Sequence, residues 1–204
     1  MRRLLTNRNL IGICLGFFCF DYYWYLFVTW LPDYLVTVRH LTILRAGFFS
    51  ALPYFVFGAS EPLGGWIADR LVARGWSETR TRKGIVTIAF LCGLLLLPAS
   101  RVQSANTAVF LIAGASFVGL ATGNLLVILQ CCAPQEDVGL WTGFENFAGN
   151  LAGVLAPLLT GVLISRTGSY APGFGLAVVV LLAGIFCYWF IVENFDERQP
   201  ESAP

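Results

Sequence analysis

Residues 172–192 read PGFGLAVVVLLAGIFCYWFIV, a run of apolar side chains with no charged residue. A membrane-spanning helix needs about 20 mainly apolar residues, so this run predicts a helix that crosses a lipid bilayer. The whole chain supports this interpretation, since 57% of its 204 residues are hydrophobic and only 12% are charged. A soluble domain carries about 25% charged residues and hides only about 70% of its unfolded surface. We therefore expect an integral membrane protein.

Five further apolar runs precede this one, and polar or proline-containing stretches separate them. Pro32 and Asp33 are expected to end the first helix, because proline lacks a backbone N–H and restricts the residue before it. We predict an all-α integral membrane fold, a six-helix bundle forming a single domain over residues 1–204, with a cytoplasmic loop at 69–83 and a cytoplasmic tail at 193–204. The predicted spans are 9–31, 46–68, 84–100, 107–130, 139–164 and 172–192.

The basic residues predict the orientation of the six helices. With the N-terminus in the cytoplasm, nine of the 13 Lys and Arg residues lie in cytoplasmic segments and the other four lie in outer loops. This bias follows the positive-inside rule and predicts a multi-pass protein of the cytoplasmic (inner) membrane with both termini in the cytoplasm. The nine are Arg2, Arg3, Arg8, Arg70, Arg74, Arg80, Arg82, Lys83 and Arg198, and the four are Arg39, Arg45, Arg101 and Arg166.

Three carboxylates fall inside the predicted spans, namely Asp21, Glu61 and Glu145. A charge at the bilayer centre costs about 2.5–3.5 kcal/mol, so such an acid must face protein or a water-filled cavity, or take up a proton. Asp21 and Asn150 are expected at a similar depth near the midplane, because a helix rises about 1.5 Å per residue. Asn146 lies one turn from Asn150. These groups are candidates for a substrate path, with Glu145 and Glu61 as candidates for ion coupling.

Each of these residues also has a structural interpretation. Asp21 lies in an aromatic stretch with Tyr22 and Tyr25, whose hydroxyls could bind the carboxylate or could contact a substrate instead. Glu61 is followed by Pro62, so it could serve helix structure or gating. Small residues that recur every four positions predict close helix packing. They are Gly149, Gly153, Pro157 and Gly161 in the fifth span, and Ala115, Gly119 and Gly123 in the fourth.

The sequence gives no indication of a metal or cofactor site. It has one histidine, His40, and none of its six cysteines forms a CxxC pair. The net charge of +1 provides no electrostatic footprint for nucleic acid. An intramembrane enzyme would need a nucleophile–base pair or metal ligands, and the spans contain neither arrangement.

The polar stretch after the second span carries a recognisable motif. Gly65-Trp-Ile-Ala-Asp69-Arg70-Leu-Val-Ala-Arg74 resembles the signature loop of the major facilitator superfamily, Gly-x-x-x-Asp-Arg/Lys-x-Gly-Arg-Arg/Lys. Val72 and Ala73 depart from that pattern. The resemblance implies a cytoplasmic gate whose charged contacts break and re-form, although an ordinary charged turn is the alternative. The matching residues are Gly65, Asp69, Arg70 and Arg74.

Two further stretches resemble the anion:cation symporters of that superfamily. Asp21-Tyr22-Tyr-Trp24-Tyr25 looks like their seventh helix, and Gly143-Phe-Glu-Asn146-Phe-Ala-Gly149-Asn150 looks like their eleventh. Members carry sugar acids such as galactonate, glucarate and hexuronates, or other organic anions, commonly coupled to protons or sodium. The family pattern has an amide at position 21 and glutamine at position 145, where this chain has carboxylates. The substrate path implied by the resemblance consists of Asp21, Tyr22, Tyr25, Asn146 and Asn150.

The resemblance covers only the second half of a facilitator. A complete facilitator has two six-helix halves, and its substrate site lies between them at the membrane midplane. We therefore expect a fragment that is inactive alone, or a chain that pairs with the missing N-terminal half or a second subunit. The missing wall would supply any cation that holds an anionic substrate, because the predicted spans contain no Lys or Arg. A non-transporting membrane subunit that stabilises or regulates a partner is the alternative.

Overall fold

The computed structural model describes residues 6–196, which fold into six long helices joined by short loops. Each helix is long and apolar enough to cross a membrane. Helices suit that environment because they pair their backbone groups internally where lipid offers no partner. The helices are α1 (Arg8–Thr37), α2 (Ile43–Val72), α3 (Glu78–Arg101), α4 (Ala105–Cys132), α5 (Val138–Thr167) and α6 (Ala171–Ile191).

The six helices alternate in direction, so the bundle has two distinct ends. The terminal end carries the start of α1, the α2–α3 and α4–α5 connections and the segment after α6. The loop end carries the α1–α2, α3–α4 and α5–α6 connections. Three of the basic residues that predicted the orientation, Arg2, Arg3 and Arg198, lie outside the described residues, as does the tail from 197 onward.

Every helix begins earlier than the sequence predicted, and α3 shows the largest difference. It starts at Glu78 rather than at residue 84 because the Ser77 side chain caps it and accepts a hydrogen bond from the Arg80 N–H at 3.2 Å. A capping serine satisfies one of the free donors of a first helical turn. Residues 78–83, predicted as loop, therefore form the polar start of a membrane-spanning helix.

The predicted end of the first helix at Pro32 and Asp33 is wrong. Helix α1 passes through both residues and ends at Thr37. Proline cannot donate to the carbonyl four residues earlier, which is that of Val28. The Tyr54 hydroxyl of α2 instead donates to Val28 O over 3.5 Å, a weak bond that offers this carbonyl a partner. A contact from another helix thus helps α1 to tolerate its proline.

Aromatic side chains of α1 join it to α2 and α3. The rings of Trp24 and Phe57 are stacked with their centroids 4.0 Å apart. Phe20 stacks on Phe90 at 6.2 Å. Stacked rings add to the packing of a core beyond the area that they bury. The aromatic stretch of α1 is therefore largely a structural element of the bundle interior.

Helices α2 and α4 cross at very short distance through glycine. A Cβ atom built on Gly64 would lie 2.1 Å from the carbonyl oxygen of Leu120, and one on Gly119 would lie 2.4 Å from Ser60 Oγ. The segment Ser116–Ala121 of α4 is a 3₁₀ helix at this crossing. The small residues predicted in α4 are confirmed as packing positions, since small side chains let two helix backbones approach.

Hydrogen bonds of Arg39 tie α1 to α3 at the loop end. Its guanidinium donates to the Tyr34 hydroxyl at 2.8 Å, to Ala99 O at 2.8 Å and to Val102 O at 2.5 Å. Tyr34 belongs to α1, and Ala99 and Val102 lie at the end of α3 and just beyond it. The ends of α1 and α3 are therefore held together here.

The segment after α6 folds back over the start of α3 at the terminal end. Lys83, which is 3% exposed, donates to Val192 O at 2.6 Å. The Asp196 carboxylate accepts hydrogen bonds from the Thr79 N–H at 2.7 Å and from the Ser77 hydroxyl at 2.5 Å. Residues 192–196 thus join the ends of α3 and α6.

Asp196→Asn is expected to lower the melting temperature at neutral pH. On acidification, the variant should lose less stability than the unchanged chain does. Burial raises the pKa of Asp196, but hydrogen bonds from Ser77 and Thr79 and the charge of Arg80 together outweigh it, so the pKa lies below that of ordinary aspartate. Such a carboxylate stabilises the fold above its unfolded pKa of about 3.9, and the contribution disappears as pH falls through the folded pKa.

Thermal unfolding in detergent between pH 7 and pH 3 measures this difference. Asp137→Asn is the matched control, because the Asp137 side chain makes no capping hydrogen bond to α5. A stability gap between Asp196→Asn and the unchanged chain that is as wide at pH 3 as at pH 7 would contradict the assignment.

Candidate functional site

Helix α1 packs along α5 on the glycines of α5. A Cβ atom on Gly149 would lie 2.1 Å from Asp21 Oδ2, and one on Gly153 would lie 2.9 Å from the Tyr25 ring. The predicted small-residue stripe of α5 is therefore confirmed as a packing surface. The contact also places Asp21 level with residue 149, which agrees with the common depth expected for Asp21 and Asn150.

Asn146 and Asn150 face outward beside the line of contact between α1 and α5, which we call the seam. Both are exposed on α5, and each amide donates to the carbonyl four residues earlier, at 3.0 Å for Asn146 and 2.8 Å for Asn150. Neither amide oxygen accepts a hydrogen bond from another residue within 6–196, so each can accept one from a ligand. Asp21 and Tyr25 are half-buried at the adjoining seam. We call Asp21, Tyr25, Asn146 and Asn150 the polar strip.

Glu145 points in a different direction from its neighbour Asn146. It is 2% exposed, and its Oε1 atom is buried with no hydrogen-bond partner among the described residues. Its carboxylate lies within electrostatic range of Asp21 and of Tyr188. Consecutive residues of a helix are about 100° apart, which separates the two side chains. Glu145 therefore lies inside the bundle, behind the polar strip.

The structure does not bring the other two candidates to the polar strip. Tyr22 is 2% exposed and packs in the interior, with its ring 6.2 Å from that of Phe18. Glu61 is half-buried on α2, on the stretch that crosses α4 near Gly123. Among the described contacts, none joins Glu61 to the polar strip or to Glu145.

A charge cluster at the terminal end involves a residue that the motif does not include. Arg82 of α3 lies 2.9 Å from Asp69 Oδ1 and 2.8 Å from Glu78 Oε1. It also donates to Asn124 Oδ1 of α4 at 3.3 Å. Arg82 is 5% exposed, so its pairing matters more than that of a surface charge. The cluster connects α2, α3 and α4.

The other motif residues lie at the surface. The Arg70 guanidinium stacks over the Trp66 ring at 5.0 Å, and Arg74 is exposed after the end of α2. Gly65 is half-buried, and a Cβ atom built on it would meet no atom within 4 Å. Of the four motif residues, Asp69 alone contacts the Arg82 cluster in the described ion pairs.

Sequence reasoning missed four residues of these clusters, namely Glu78, Arg82, Asn124 and Tyr188. Arg82 lies four residues after Glu78, a spacing that favours an ion pair on a helix and could have identified it. Asn124 is an amide inside an apolar run, the same signal that identified Asn150. Tyr188 gave no signal, because its proximity to Glu145 depends on how α6 packs.

A family model described as the Major Facilitator Superfamily matches residues 1–139 of the chain. Among solved structures, the chain resembles a bacterial homolog of the human lysosomal transporter Spinster in an inward-facing and occupied conformation, with a TM-score of 0.67. The match covers 98% of this chain and 52% of that one at 14% identity, so the likeness concerns the fold.

Curated relatives are similar over nearly the whole chain. The chain is 33% identical to a probable galactarate/D-glucarate transporter of Bacillus subtilis, over 94% of its own length and 42% of the relative's. It is 32% identical to a D-galactonate transporter of Escherichia coli, over 93% of its own length and 44% of that relative's. The chain thus spans less than half the length of the curated relatives that it matches.

Proposed function

The chain belongs to the Major Facilitator Superfamily, and from that premise we propose that it is the C-terminal half of a secondary transporter for a sugar acid such as galactarate or glucarate. The proposal rests mainly on the polar strip, which lies along the exposed seam of α1 and α5. Carboxylate and amide groups at the membrane midplane need water or a partner, since hydrocarbon offers neither. A facilitator places its substrate between two halves, and the strip would form one wall of that site.

The chemistry of the polar strip suits the hydroxyls of a sugar acid. The free amide oxygens of Asn146 and Asn150 accept hydrogen bonds, and Tyr25 can donate or accept one. The strip offers no cation for the substrate carboxylates. The proposal therefore requires a positive group on the partner half. That group would balance the charges of the substrate carboxylates and of Asp21.

Glu145 is our first candidate for ion coupling. Its buried carboxylate lies within electrostatic range of Asp21, so negative charges on the two groups repel each other. Uptake of a proton or sodium ion relieves that repulsion and would link the ion to a rearrangement of α1 against α5. Glu61, on the α2 stretch that crosses α4, remains a second candidate.

The terminal end would form the cytoplasmic gate. Gly65, Asp69, Arg70 and Arg74 stand there together with the buried Arg82 cluster, whose bonds span three helices. The bias of basic residues toward this end supports a cytoplasmic location, in the inner membrane. A cysteine at position 74 that reacts with an impermeant reagent outside intact cells would contradict this orientation.

Uptake of radiolabelled D-glucarate into membrane vesicles tests the proposal. The chain is produced alone and together with the first six-helix half of the Bacillus subtilis relative. We expect uptake at least ten times above empty vesicles for the pair and none for the chain alone. Uptake by the chain alone would contradict the half-transporter assignment. A stable pair that transports none of the tested sugar acids would favour the non-transporting subunit.

The same assay separates coupling from binding. Glu145→Gln is expected to keep glucarate exchange and to lose its response to a proton or sodium gradient. Glu136→Gln, at an exposed loop position, is the matched control and should respond normally. Gradient-driven uptake that survives Glu145→Gln would move the coupling role to Glu61 or to the other half.

A further inference from the structure

A groove lies between α2 and α3 at the terminal end, apart from the polar strip. It has a volume of about 440 Å³, and its lining is mainly apolar, including Leu71, Trp76, Ile85 and Ile88. Gly84 forms part of its wall, and a Cβ atom built there would meet no atom within 4 Å. Trp76 is exposed just after the end of α2, and tryptophans commonly settle at membrane–water interfaces. We therefore expect the groove to open where acyl chains meet headgroups.

Two polar features distinguish this groove from a simple gap between helices. Thr81 lines it and is 5% exposed, yet its buried hydroxyl has no hydrogen-bond partner within 6–196. Arg80 lines it as well and is exposed. The Thr81 hydroxyl is enclosed, so Arg80 is the charged group of the groove that a headgroup can reach.

Among residues 6–196, the nearby carboxylates leave Arg80 available. Asp69 and Glu78 both pair with Arg82, and Asp196 is engaged by Ser77 and Thr79. Asp196 is near enough for Arg80 to lower its pKa, but no ion pair within 4.0 Å joins the two. The first amides of α3 are capped by Ser77 and Asp196, so they do not provide an anion site themselves.

We propose that this groove binds an anionic phospholipid of the phosphatidylglycerol class. One acyl chain lies along Leu71, Ile85 and Ile88, and the headgroup phosphate pairs with Arg80. Basic pockets between membrane helices recognise anionic headgroups in this way. The inference does not depend on transport, so it stands or falls separately from the proposed function.

Native mass spectrometry of the purified chain, after equilibration with phosphatidylglycerol or phosphatidylcholine of identical acyl chains, tests the proposal. We expect the chain to retain phosphatidylglycerol about five-fold better, the preference that one basic residue near a headgroup provides. Arg80→Gln should remove this preference, whereas Arg101→Gln, an exposed arginine at the loop end, should keep it.

A second pair of variants tests the groove itself. Gly84→Leu should fill the groove and reduce retention of both lipids, because the space at residue 84 is open. Gly58→Leu adds the same side chain at another open, exposed position of α2 and should change nothing. Equal retention of the two lipids by the unchanged chain, or full retention by folded Gly84→Leu, would overturn the assignment.

Discussion

Gly64→Ala is expected to prevent the chain from folding or to lower its unfolding free energy by about 3 kcal/mol or more. The added methyl group would lie 2.1 Å from the carbonyl oxygen of Leu120 and 2.7 Å from its Cα. A flexible side chain could rotate away from such a clash, but these atoms belong to the backbone of α4. The two helices would have to separate along their whole crossing.

Gly65→Ala is the matched control for this prediction. It makes the same change one residue later, at a position where the new methyl group meets nothing within 4 Å. Alanine is also the better helix former, so stability should stay the same or rise by up to about 1 kcal/mol. Thermal unfolding and size-exclusion profiles in detergent measure both variants. Equal stability of the two would show that α2 and α4 do not cross as described.

These adjacent glycines illustrate what the sequence could predict. The motif pointed to Gly65, whereas the residue on which the packing depends is Gly64, about 100° around the helix. Six spans and their small-residue stripes follow from composition and spacing, and the structure confirms both. Which of two neighbouring glycines contacts another helix depends on how the helix is rotated about its axis. A helix that is apolar on all sides gives little sequence signal for that rotation.

The same limit explains the differences in α1 and in the candidate site. Pro32 alone predicts a helix end, and only the packing of Tyr54 against Val28 shows why the helix continues. Glu145 and Asn146 form one cluster in the sequence, yet one is buried and the other exposed. The roles proposed for both presuppose the second wall of the proposed transporter.

Asn150→Ala is expected to reduce glucarate uptake by the assembled transporter by about five-fold or more. The exposed amide on the polar strip would contact the substrate, and losing a hydrogen bond to a bound polar group costs about 1–3 kcal/mol. Protein stability should be unaffected, since the one hydrogen bond that the described amide makes is to its own helix, at Asn146 O. Leu158→Ala, an exposed position on the same helix, is the control and should transport normally.

Thiol labelling at position 150 tests the central claim most directly. Asn150→Cys is prepared in a chain whose six native cysteines are replaced, together with Val179→Cys on the exposed face of α6 and Ala156→Cys in the interior. In membranes that contain the assembled transporter, we expect a water-soluble maleimide to modify position 150 and excess glucarate to protect it, with both controls unreactive. A position 150 that is as inert as position 179 would place the polar strip against lipid and contradict the account.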